Sequence, residues 1–196
     1  VSTMQRLPAV SGSPFLLSWT GADVGPAGVD TYDLQVRAGP GGAWTDYLTR
    51  TVPTPVYFQG LGGQTYYFRV RARDNAGNLE PWPPDFQAFT TIESIPPISA
   101  VEPLPPYTRK DQASMSWSGQ DEGGSTIKQF ELECRDGAAG AWQPCGTYSQ
   151  PGSAGIAGNP GHTIYLRSRA TDTAGNVEPW PPGDGDTHTT LYTGKV

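Results

Sequence analysis

Apolar and polar side chains alternate along short runs of this chain, and no stretch repeats at helical spacing for more than a turn. FLLSW at 15–19 reads as one strand and DTYDLQVRA at 30–38 as the next, with Tyr32, Leu34 and Val36 on one face. AWTDYL at 43–48 follows a Gly-Pro-Gly-Gly turn, which predicts a hairpin with the 30–38 strand. TPVYFQ at 54–59, QTYYFRVRARD at 64–74 and DFQAFTTI at 85–92 supply three more runs. With an opening strand near Ser2 to Leu7 this makes seven short strands in under a hundred residues, the pattern of a β-sandwich.

The pattern then starts again. Trp19 and Trp117, Leu34 and Leu132, Arg37 and Arg135, Trp44 and Trp142, and Trp82 and Trp180 are each 98 residues apart. A constant offset predicts two copies of one domain, 1–93 and 94–196, in a register kept without insertions. The joint, TTIESIPP at 90–97, ends in two prolines, a composition that favours a semi-rigid connection.

Composition agrees with thin domains. Hydrophobic residues are 36% of the chain, and its 25 Gly and 20 Pro fall between the patterned runs as turn punctuation. A net charge of -6 leaves no basic excess to displace counterions from phosphate, so nucleic acid is not an expected partner. No apolar run is long enough to cross a bilayer, and no signal peptide is visible. The chain starts without Met and reads as a mature product or a piece of something longer.

Several motifs resemble the fibronectin type III family, particularly the copies in modular secreted bacterial proteins. They are Trp19 and Trp117 in the second strand, Tyr32 and Phe130 in the third, and Gly-x-x-Tyr/Ile-x-Phe/Leu-x-x-x-Ala at 63–72 and 161–170. The Asp-x-Ala-Gly-Asn turns at 74–78 and 172–176 and the FELECRDGAAGAWQPC hairpin at 130–145 add to the likeness, which covers essentially the whole chain. The resemblance implies an all-β chain of two tandem seven-stranded immunoglobulin-like sandwiches. It departs from the family at the corner before the 64–74 strand, where Gly62-Gly63 replaces the usual Pro-Gly and the corner tyrosine, Tyr66, becomes Ile164 in the second copy. No Arg-Gly-Asp is present, so integrin-type adhesion does not carry over.

Along 66–73 the apolar set faces inward, which turns Tyr67, Arg69, Arg71 and Arg73 outward. Tyr165, Arg167 and Arg169 repeat the row, with Arg37 and Arg135 on the neighbouring strand and Ser168 weakening the inward set of the second copy. Glu-Pro-Trp-Pro-Pro follows each row. A Trp between prolines cannot join a central ladder, so Trp82 and Trp180 are expected to fold back over the guanidinium groups. This is similar to the Trp–Arg ladder of cytokine-receptor type III domains. Arg suits such stacking and Lys does not, and the only lysines are Lys110, Lys128 and Lys195. The rival reading makes these aromatics a sugar-stacking platform.

In the turns, Asp74 and Asp172 can accept backbone N–H groups two residues on, and Gly77 and Gly175 permit positive φ. Asp23 and Asp121, in the loop after the second strand, belong at the same end of each sandwich, where converging carboxylates could hold calcium. Their spacing matches no dedicated calcium loop, so no cofactor is expected and structural calcium is the alternative. Asp184-Gly185-Asp186, a weaker candidate still, has no acidic counterparts expected in the first copy.

Cys134 and Cys145 flank a hairpin centred on Ala139-Gly140, which sets them opposite each other and predicts a disulfide in place of the apolar pair Val36 and Tyr47. A disulfide implies an extracellular or cell-surface setting. His162 and His188 do not recur in the first copy, where Gln64 and Thr90 stand, and no nucleophile elbow or phosphate-cradling glycine loop accompanies them. The expectation is a non-catalytic extracellular spacer or adhesion module of a multidomain protein, with other modules or cell-surface components as partners. Its rivals are a glycan-binding accessory module and a filament subunit that self-assembles through edge strands.

Overall fold

A computed structural model of the chain describes residues 1–53 and 55–194, so Thr54 of the expected 54–59 strand, and Lys195, lie outside the described residues. The chain divides into two compact units, Val1–Ser94 and Ile95–Val196.

Domain 1 runs β1 (Ser2–Met4), β2 (Val10–Ser11), β3 (Phe15–Leu17), β4 (Trp19–Gly21), β5 (Val29–Ala38), β6 (Thr45–Thr51), β7 (Val56–Phe58), β8 (Thr65–Asp74) and β9 (Ala88–Ile92). One layer is a five-stranded sheet in the order β2-β9-β8-β5-β6, and the facing layer comprises the β1-β4 and β3-β7 pairs. Seven strands are present in nine pieces. The expected 15–19 strand breaks at Ser18, and the expected 2–7 strand is β1 alone, with β2 crossing to pair in parallel with β9.

Domain 2 runs β10 (Ile98–Val101), β11 (Tyr107–Arg109), a 3₁₀ turn at Lys110–Gln112, β12 (Ser114–Gln120), β13 (Ile127–Asp136), β14 (Gln143–Tyr148), β15 (Gly152–Gly155), β16 (Thr163–Asp172) and β17 (Thr187–Tyr192). Its sheets are β10-β12-β15 and β11-β17-β16-β13-β14.

Period-two alternation places the cores. Phe68 and Val70 of β8 and Leu34 of β5 meet Leu17 and Trp19 across domain 1, and Leu166, Phe130 and Leu132 meet Met115 and Trp117 across domain 2. Ser168 replaces Val70 in this interior, is fully buried, and is satisfied by Ser99 Oγ at 3.1 Å and Asp186 Oδ2 at 3.1 Å. In domain 1 the Tyr66 hydroxyl accepts the Leu61 N–H at 3.1 Å, forming the corner that Ile164, buried against its own core, cannot form.

The constant offset holds only for the middle of each copy. Ser2 corresponds to Ser99, 97 residues on, because Ser2 donates to Glu80 as Ser99 donates to Glu178, while Asp85 corresponds to Asp184, 99 residues on. The second copy therefore has one extra residue after its first strand and another before its last. His188 pairs with Tyr165 as Phe89 pairs with Tyr67, so it is the counterpart of Phe89 and not of Thr90. Asp184 does have an acidic counterpart, Asp85, once that inserted residue is counted.

The cysteine hairpin is also corrected in register. Cys134 lies opposite Gln143, and a bulge between Leu132 and Glu133 leaves Cys145 as the extra residue. The bulge turns Cys145 toward Cys134, and the disulfide closes with Cα atoms 5.8 Å apart. Domain 1 repeats the bulge with Tyr47 in the extra position, and there it packs on the core beside Val36.

Candidate functional site

The segment from β8 through Trp82, repeated from β16 through Trp180, builds a braced outer face. At the end of β8, Asp74 caps its turn by accepting the Asn78 N–H and Nδ2–H, both at 2.8 Å, while Gly77 takes φ +89°. The chain then runs back along β8, with Arg73 bridging Leu79 and the Glu80 N–H donating to the Ala72 carbonyl at 2.9 Å. Glu80 itself is a clamp. Its carboxylate accepts Ser2 Oγ–H at 2.6 Å, Ser2 N–H at 3.1 Å and Ala72 N–H at 2.9 Å, joining the first strand to β8. Glu178 repeats the arrangement with Ser99 Oγ at 2.6 Å, Ser99 N at 2.9 Å and Ala170 N at 2.9 Å. Burial alone would raise the Glu80 pKa, but the hydrogen bonds from Ser2 and Ala72 outweigh it and hold the carboxyl below its ordinary value. Asp74 is likewise lowered, chiefly by the Asn78 side chain.

With residue 80 fixed beside residue 72, Trp82 falls over the arginines. Trp82 lies 4.3 Å from Arg71 and 5.1 Å from Arg69, measured from guanidinium carbon to ring centroid. Trp180 sits 4.6 Å from both Arg167 and Arg169. Trp44 is the rung that sequence reasoning missed. It enters from the β5–β6 turn and lies between Arg37 at 4.8 Å and Arg69 at 4.2 Å, as Trp142 lies between Arg135 at 4.7 Å and Arg167 at 4.2 Å. Its recurrence at the 98-residue offset, just after a turn that points back at the arginine strand, is the signal that could have found it. The row in domain 1 thus runs Tyr67, Arg37, Trp44, Arg69, Trp82, Arg71, and domain 2 repeats it from Tyr165 to Arg169. Each stack contributes about 0.5–1 kcal/mol at such half-exposed positions.

Residues of the third strand set the order of the guanidinium groups. In domain 2, Glu133 accepts Arg167 Nε at 2.9 Å, Glu131 accepts Arg169 Nε at 2.6 Å, and Asp184 meets Arg135 at 2.6 Å. In domain 1, Asp33 pairs with Arg71 at 2.9 Å, but Gln35 stands where Glu133 would be, accepting Arg69 Nε at 2.9 Å. Arg73, the last outward arginine of β8, turns away from the ladder to the Gly77 carbonyl at 3.3 Å. Burial first, then the Arg37 and Arg71 charges, hold the Arg69 guanidinium below its ordinary pKa.

The acidic loop residues mostly serve their own backbone. Asp23 accepts the Gly25 N–H at 3.0 Å and the Gly28 N–H at 2.9 Å, and it lines a shallow pocket of about 220 Å³ with Asp74. Asp121 accepts Ser125 Oγ–H at 2.8 Å and Asp172 accepts Asn176 N–H at 2.8 Å, with carboxylate oxygens of these two aspartates within 4.8 Å of each other. Each pair thus comes to one end of its sandwich, and the Asx turns account for the local contacts. His162 pairs with Asp136 at 2.7 Å on an exposed edge, while His188 stacks on Tyr165 at 5.0 Å, so the two histidines stand apart in role.

No protein-family model matches the chain. Among solved structures, the fibronectin(III)-like modules of Clostridium thermocellum CbhA match at a TM-score of 0.50 and 12% identity, over 98% of this chain and 95% of that one. Both halves have the fibronectin type III-like fold. Domains of chicken CNTN1 (TM-score 0.43, 16% identity, 88% of this chain and 62% of that one) and a two-domain segment of chicken tenascin (0.34, 12%, 85% and 88%) also match, with fewer positions superposed. The fold by itself assigns no activity. The second domain carries an intradomain disulfide, and no helix among the described residues is long and apolar enough to span a membrane.

Proposed function

We propose that the chain is a non-catalytic spacer and adhesion module of a secreted or cell-surface multidomain protein. The observation that carries this reading is the duplicated ladder. In both domains the charged and aromatic side chains of the outer face are engaged with one another, bracing a thin sandwich from outside. The disulfide supports an oxidising compartment, and the partners are other modules or components of the cell surface. A platform of stacked sugars on the indoles is less favoured, because Trp44, Trp82, Trp142 and Trp180 each have two guanidinium neighbours in the stack.

Labelling intact source cells with a membrane-impermeant amine reagent, followed by mass spectrometry of the tryptic peptides, tests the placement. The expected result is labelled protein with Cys134 and Cys145 joined. Unlabelled protein with both thiols free would overturn the extracellular assignment.

A further inference from the structure

The two domains carry one ladder in two settings, so each is a control for the other. In domain 2 every ladder guanidinium meets a carboxylate: Arg135 with Asp184 at 2.6 Å, Arg167 with Glu133 at 2.5 Å, and Arg169 with Glu131 at 2.6 Å. In domain 1 the middle guanidinium has neutral partners. Arg69 donates twice to Gln35 Oε1, at 2.9 and 2.7 Å, and once to the Pro83 carbonyl, at 3.0 Å. The nearby Asp46 is engaged by the other end of that amide, Gln35 Nε2, at 2.8 Å. The Arg37–Asp85 pair is looser, at 3.3 Å, with the carboxylate 68% exposed. Burial first, and then the Arg37 and Arg71 charges, depress the Arg69 pKa.

The second difference lies at the tyrosine end of the row. In domain 1, Phe89 stacks on Tyr67 at 5.8 Å and 23°, Phe86 packs edge-on against both, and Phe89 is 42% exposed. In domain 2 the place of Phe89 is taken by His188. Domain 1 therefore ends its row in an aromatic stack in which Tyr67 lies between Arg37 and Phe89, leaving Phe89 as the exposed end, beside a guanidinium row that is one carboxylate short. Tyr67 and Arg69 are next-but-one on the same face of β8, roughly 7 Å apart, which is within the span of two linked sugar rings. The apolar face of a pyranose suits the exposed ring, and a ring carboxylate suits the free guanidinium edges.

We propose that the outer face of domain 1, from Phe89 and Tyr67 through Arg37 to Arg69, binds an acidic polysaccharide of the uronic acid class, and that the same face of domain 2 does not. This rests on the adhesive half of the reading above and names its ligand. The sugar lies on the phenylalanine platform and not on the tryptophans.

Native affinity electrophoresis of the full chain through gels containing polygalacturonate or neutral hydroxyethylcellulose tests it. Polygalacturonate is expected to retard the wild type at low salt and to release it at 0.5 M salt, roughly the range over which exposed charges are screened. Gln35→Glu gives Arg69 the carboxylate that Glu133 gives Arg167 and should cut retardation at least fivefold, with Gln35→Glu/Asp46→Asn, which removes the facing Asp46 charge, giving the same loss in a folded domain. Phe89→His should do the same, while Glu133→Gln should leave retardation as it was. Unretarded wild type, equal retardation in the neutral gel, undiminished retardation of Gln35→Glu, or competition by polyglutamate as strong as by oligogalacturonate would each overturn the proposal. None of these outcomes touches the bracing role, which melting of the tryptophan variants tests separately.

Discussion

A tryptophan between two prolines is an odd economy unless its backbone is meant to be held and its ring used. Trp82 touches two guanidinium groups, so Trp82→Ala should destabilise domain 1 by ~1–2 kcal/mol. Trp44→Ala, at the centre of the row, should cost at least as much. At roughly 4–8 °C per kcal/mol for a domain of this size, calorimetry should show the domain 1 transition moved and the domain 2 transition in place. Glu80 makes a prediction in pH. Its folded pKa is depressed, so its stabilisation is complete above the unfolded carboxyl value, about 4.3 for a model glutamate, and is lost as pH falls through the folded value. Glu80→Gln should cost domain 1 about 1.5–3 kcal/mol near neutrality, the worth of hydrogen bonds to a charged group, and should flatten the acid limb of its denaturation curve. An acid limb unchanged by that substitution would remove Glu80 from the account. Arg69 and Trp82 were legible from alternation and from proline chemistry. Gln35 and Glu80 were not, because their worth lies in partners on other strands, 34 residues away for Gln35 and 78 for Glu80.

At the scale of the element, the C-terminal half of the hairpin β13–β14 shows how a local irregularity can be put to use. The bulge at Leu132/Glu133 occurs in domain 1 as well, at Leu34/Gln35, where it seats Tyr47 on the core. In domain 2 the same kink delivers Cys145 to Cys134. The closed loop is short, so reduction should cost domain 2 roughly 2–3 kcal/mol, lowering its melting transition while domain 1 stays put. A shift in both transitions would contradict the division of the chain into separate cores. Strand identity was readable from period-two runs such as 64–74, but the bulge was not. The turn centres between Ala138 and Ala139 and not on Ala139-Gly140, which shifts the pairing before the bulge is reached, and nothing in QPC announces the extra residue beyond it. The break at Ser18 escaped because one polar residue in FLLSW reads as ordinary alternation and does not reveal where a strand changes partner.

For the molecule as a whole, duplication was the most informative feature of the sequence and also the source of its one systematic error. Matching tryptophans shared an offset of 98, and the loops outside them each gained a residue unseen. That slip hid the kinship of Asp85 with Asp184 and of Phe89 with His188, the very positions at which the two copies differ in chemistry. The parallel pairing of β2 with β9 and of β11 with β17 has a bearing on load. In each domain an early segment lies alongside the last strand, pointing the same way, so traction applied through the flanking chain drags the two past each other lengthwise. Bonds such as Thr91 N–H to the Ala9 carbonyl and Thr190 N–H to the Pro106 carbonyl then share the pull together, and do not give way one after another like the teeth of a zip.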